Sequence, residues 1–190
     1  MNKLFRFPCV LLAGLALLSA CNDKDPVAEN QEELITTVRL TFTPTGSTGS
    51  PVVATWQDPD GDGGTAPTVS PITLAGNTTY TLAVALLDDS KSPSVNITEE
   101  VEEEAEEHQL FFRTSGLTGM TITYNDQDSN NRPIGLVNTV TTPTAGSGTL
   151  TVILRHEPNK AAASVANGDP TNAGGETDIE TTPPFSVTIR

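Results

Sequence analysis

Asp58, Asp60 and Asp62 are separated by Pro59 and Gly61 and followed by Gly63, giving the run D-x-D-x-D-G. Carboxylates two positions apart can converge on one hard cation, and the glycine permits a sharp turn behind them; calcium loops open in this way. A helix–loop–helix calcium site would need a bidentate Glu at position twelve, where this chain has Val69. A second loop holds Asp126, Asp128 and Asn130, with Asn131 in the glycine place and Val137 at position twelve. Both loops therefore read as the looser calcium type, which completes its shell with ligands from elsewhere in a β domain. The plainer alternative is that Asp, Asn, Gly and Pro are ordinary turn residues.

The two histidines offer a second chemistry. His108 precedes Leu110-Phe111-Phe112, and His156 follows the apolar run Leu150–Arg155. Two imidazoles with a carboxylate from Glu106, Glu107, Glu157, Asp178 or Glu180 would suit zinc or copper. Against this stands the ordinary role of a histidine hydrogen-bonded inside a core. Turnover has little support. There is no G-x-S-x-G elbow, no H-E-x-x-H and no phosphate-cradling glycine loop. Paired carboxylates leave an envelope hydrolase as the outside reading, but one Trp and two Tyr give little platform for stacking sugars. The expected role is binding, not catalysis.

The elements that must position these residues are strands. Val38, Leu40 and Phe42 alternate with Arg39, Thr41 and Thr43, and the same period of two recurs at Val52–Trp56, Leu82–Leu86, Met120–Tyr124, Leu150–Leu154 and Phe185–Ile189. Gly, Pro, Asn and Asp clusters separate these runs. The pattern predicts an all-β fold, an antiparallel β-sandwich of the Ig-like or jelly-roll-like kind over residues 34–190. Thr55–Gly63 recurs 68 positions later as Thr123–Asn131, and Thr81–Leu86 recurs as Thr149–Leu154, so an internal repeat is expected. One short acidic helix is predicted between the copies. Ile97, Val101 and Ala105 form a stripe that His108 continues, and Asn96 with Glu99 suits a capping box.

A formal net charge of −14 disfavours nucleic acid and anionic lipid surfaces. The first twenty residues carry Lys3 and Arg6, then an apolar stretch from Val10 to Leu18 that is too short to span a bilayer. Leu18-Ser19-Ala20-Cys21 resembles a bacterial lipobox. Residues 1–20 then read as a lipoprotein signal peptide, Cys21 as the lipid attachment site and residues 21–33 as a flexible acidic tether. Removing the signal takes away Cys9, and acylation consumes the other cysteine, so the expected fold has no disulfide. Asn22, where an aspartate would favour the inner membrane, points to the outer membrane, on its periplasmic or surface side.

The runs EEVEEEAEEHQLFF (Glu99–Phe112), NDQDSNNRPIGL (Asn125–Leu136), LRHEPNK (Leu154–Lys160) and GDPTNAGGETDIE (Gly168–Glu180) resemble a family of small Bacteroidota-type lipoproteins. The resemblance implies an envelope lipoprotein and carries no catalytic residues. Some members are labelled as periplasmic-binding folds, which alternate strands and helices; the strand-rich pattern here argues otherwise. The expected partners are the membrane through the N-terminal lipid, cations, and a protein or glycan ligand. Calcium is the expected cofactor, with zinc or copper as the alternative.

Overall fold

The computed structural model describes residues 34–46, 49–61 and 63–190. The signal peptide, Cys21, the tether and Asp62 lie outside those residues. The chain folds into two packed sheets, as the period of two predicts. The first sheet contains β1 (Thr37–Pro44), β2 (Val52–Gln57), β3 (Thr68–Val69), β5 (Thr79–Asp88), β6 (Val95–Asn96), β8 (Thr121–Tyr124) and β9 (Val137–Thr141). Its order is β3-β2-β1-β5-β9-β8, with β6 on the edge of β5 beyond β9. The second sheet contains β4 (Ile72–Leu74), β7 (His108–Ser115), β10 (Gly146–His156), β11 (Glu176–Glu180) and β12 (Phe185–Ile189).

The eleven-residue β10 organises the second sheet. One edge pairs with β7 from Thr149 to His156, while β12 and then β11 share the other. All pairs are antiparallel except β4 with β12. Val38, Leu40, Phe42, Leu82, Val84 and Leu86 meet Leu150, Val152, Leu154, Phe185 and Val187 in one core. Each such side chain removed from water stabilises the fold by about 1.5–3 kcal/mol before chain entropy is charged.

Strict alternation fails at Val152-Ile153-Leu154, where all three residues are buried. Ile153 and Phe111 point to the outer face of the second sheet. There Val165 of the short helix α2 (Ala163–Ala166) and Ala173 cover them in a second cluster.

The predicted helix forms as α1 (Ile97–Glu103), with Ile97 and Val101 buried. It ends before His108, which is the first residue of β7. The capping box does not form. Asn96 Nδ2 donates to Glu99 Oε1 at 2.8 Å, and no side chain caps a backbone N–H. Thr98 docks the helix instead: its Oγ1 accepts from the Leu86 amide at 2.8 Å and donates to the Leu86 carbonyl at 3.2 Å.

The expected repeat is matched only in part. β1 with β5 and β7 with β10 are both antiparallel neighbours, but Phe42 faces Leu82 whereas Thr114 faces Leu150, a different register. β2 forms a hairpin with β1, while its counterpart β8 leaves β7 and joins β9 at the edge of the other sheet. The turn between β7 and β8 carries Gly116 and Gly119 in left-handed conformations, which lets the chain cross from one sheet to the other.

Candidate functional site

His108 and His156 are the last pair of the β7·β10 ladder. Both lie on the face that points into the sandwich, at its end, and their rings stack with centroids 4.9 Å apart and planes 15° from parallel. The sequence brought these two residues into one expectation, and the fold does bring them together. Their orientation is wrong for sharing one ion, because imidazole lone pairs lie in the ring plane and stacked rings send them side by side. The nitrogens of His108 face other groups: Nδ1 lies 3.2 Å from the Glu104 carbonyl, and Nε2 lies 4.0 Å from Asp178 Oδ2. His156 Nε2 instead faces Glu107 Oε2 at 3.7 Å.

Glu107 precedes β7 and Glu157 follows β10, so antiparallel pairing sets them opposite each other beyond the histidines. The Glu157 amide donates to the Glu107 carbonyl at 2.6 Å. One ligand atom from each of Glu107, His156 and Glu157 lies within 4.8 Å of the other two. Among the described residues, the chemically plausible ligand group at this end is therefore one imidazole with two carboxylates, and His108 is its buried support.

Asp178 reaches His108 through a bulge. Leu154 faces Ile179 but Arg155 faces Thr177, so Asp178 is the extra residue of β11. A bulge re-aims a side chain that regular pleating would send the other way. Here it buries the Asp178 carboxyl fully.

Asp178 also lines a cleft of about 470 Å³ between the first Asp loop and β11, with its carboxyl turned in behind the wall. Trp56, Asp58, Glu180 and Thr182 line it too, with the backbone of Gly61, Gly63 and Gly64. Asp58 is buried and Asp60 exposed. The Thr65 amide donates to Asp60 Oδ2 at 2.8 Å and holds that carboxyl below the usual carboxylate range, with Asp58 beside it. Of the expected calcium triad, then, two members lie close together on one loop and Asp62 is outside the described residues.

In the second Asp loop the carboxylates already have partners within the chain. Asp126 accepts from the amides of Gly135 and Val137, each at 2.8 Å. Asp128 Oδ1 accepts from the amides of Asn130 and Arg132, each at 2.9 Å. Asp128 Oδ2 meets the Lys160 ammonium at 2.8 Å, and both side chains are almost fully buried. Lys160 also donates to the carbonyls of Ala105 at 2.7 Å and His108 at 2.9 Å. Burial opposes ionisation of Asp128, but Lys160 and the loop amides outweigh it and hold the carboxyl below its usual range. Burial likewise pushes the Lys160 ammonium down, against the pull of Asp128. Asp126 and Asp128 therefore shape a turn, Asn130 contributes its amide to it, and the cation at this loop is a lysine. Lys160 had no sequence signal beyond being a cation within LRHEPNK, because its partner lies 32 residues earlier.

No protein-family model, no curated protein and no solved structure matches the chain.

Proposed function

We propose that this protein is a lipid-anchored binding module of the bacterial cell envelope that takes a cationic ligand in the cleft beside the first Asp loop. The anchor rests on the LSAC run and on the resemblance to envelope lipoproteins. The ligand reading rests on one observation: three acidic residues, Asp58, Asp178 and Glu180, line one cleft with Trp56, and the Asp58 and Asp178 side chains are held away from bulk water just behind its surface. Carboxylates away from bulk water attract positive charge more strongly than surface ones, and an indole adds affinity for cations that reach its face. The role is capture rather than turnover.

Calcium is the first ligand to test, because Asp58 and Asp60 share this loop with Asp62. Affinity of the weak extracellular kind, about 10⁻⁴–10⁻³ M, gives about 1.4–2.7 kcal/mol of stabilisation at 10 mM calcium. The melting temperature should rise by several degrees over that in chelator. Asp60→Asn with Asp62→Asn should remove the shift. Propylammonium and guanidinium, titrated by calorimetry, test an organic cation in the same cleft. If neither calcium nor these cations bind, the reading is overturned.

A further inference from the structure

We infer that Glu107, His156 and Glu157 form a site for a divalent transition-metal ion, with zinc as the probe. This goes beyond the cleft reading, since the two sites share no ligating residue. Tetrahedral zinc with bonds of about 2.0–2.1 Å sets its ligand atoms about 3.4 Å apart. His156 Nε2 and Glu107 Oε2 stand at 3.7 Å, and all three ligand atoms fall within 4.8 Å. Small rotations of two glutamate side chains would bring all three atoms to bonding distance of one ion.

The scaffold beneath these groups is tied together by backbone hydrogen bonds and close packing. His156 is held by its stack on His108 and by the β7·β10 ladder. The amide of Glu157 is bonded to the carbonyl of Glu107. Glu157 takes a left-handed backbone, φ 49°, which an L-residue with a Cβ adopts only against strain. Gly175 packs so closely here that an added Cβ would meet the His156 carbonyl oxygen at 2.0 Å.

Access is open. The Glu107 side chain is half exposed, whereas that of His156 is 10% exposed. An ion can therefore enter from the glutamate side and meet a fixed imidazole. The imidazole selects for zinc or copper over calcium and magnesium, which take oxygen ligands. Three protein ligands leave at least one position for water or for a donor from another molecule.

The test is a zinc titration of the purified metal-free chain against a chromophoric chelator, with metal content measured after dialysis. One zinc per chain is expected. Glu107→Gln and Glu157→Gln should each weaken binding by about tenfold or more, and the double variant should retain none above background. Asp58→Asn should leave zinc affinity unchanged, which separates failure here from failure at the cleft. Copper(II) loaded into the same site should show nitrogen hyperfine coupling from one imidazole in its electron paramagnetic resonance spectrum. His156→Gln should abolish that signal, with circular dichroism confirming that the variant folds. Zinc binding that survives the Glu107→Gln, Glu157→Gln double variant, or no zinc retained by the wild-type chain, overturns the proposal.

Discussion

At the scale of single residues, Glu157 and Lys160 make opposite predictions. The left-handed backbone at Glu157 costs a residue with a Cβ about 1–2 kcal/mol. Glycine removes that strain but loses about 0.5–1 kcal/mol more chain entropy on folding. Glu157→Gly should therefore raise metal-free stability by between zero and about 1.5 kcal/mol in chemical denaturation; a clear loss would mean that the side chain supports the fold. Lys160→Met should do the reverse. It strands the buried Asp128 carboxylate with two loop amides, and removing one partner of a buried pair costs about 3–5 kcal/mol. Lys160→Met combined with Asp128→Leu should cost less than Lys160→Met alone, which a double-mutant cycle measures. The pair also predicts acid sensitivity. The folded Asp128 carboxyl titrates below its ordinary 3.8, so its contribution is complete above that value and is lost as pH falls through the folded one. Denaturation midpoints should thus decline more steeply below about pH 4 in the wild type than in the double variant. Asp128 was legible as a loop aspartate, but its partner was not, because pairing across 32 residues leaves no local pattern.

At the scale of elements, strands were the legible part. Period-two alternation marks β1, β5, β10 and β12 and assigns their inner faces, since one buried face is what alternation means physically. It misassigns Ile153 because the segment carrying α2 covers the outer face of the second sheet. That cover predicts a separable unit. Phe111→Ala should remove about 3–5 kcal/mol from its local contacts and speed amide exchange over residues 162–173. β1 and β5, in the main core, should keep their protection. Equal loss of protection everywhere would show that the cover and the sandwich open as one. The bulge at Asp178 belongs to the same scale. Nothing in Glu176-Thr177-Asp178-Ile179-Glu180 marks the extra residue, because a bulge is defined by the count on the partner strand.

For the whole molecule, the anchoring prediction comes from the N-terminal run. Cys21→Ser should move the protein from the membrane fraction to the soluble envelope fraction on cell fractionation. Retention in the membrane with an intact N-terminus would overturn the lipoprotein reading. The sequence by itself determined the sandwich class, the inner face of most strands and the acidic helix. Each of these follows from local periodicity, whereas the meeting of His108 and His156 needed the pairing of β7 with β10. Only the tertiary structure decided which strand went to which sheet. The glycine turn sends β8 across the sandwich, and the 68-residue offset in sequence does not become two equal halves. It also decided the chemistry. Stacking removed His108 from the shared site expected of it, strand ends set Glu107 against Glu157, and a distant lysine filled the second Asp loop. Ligand sets and ion pairs depend on distances between residues far apart in the chain, and those distances exist only once the sheets have packed.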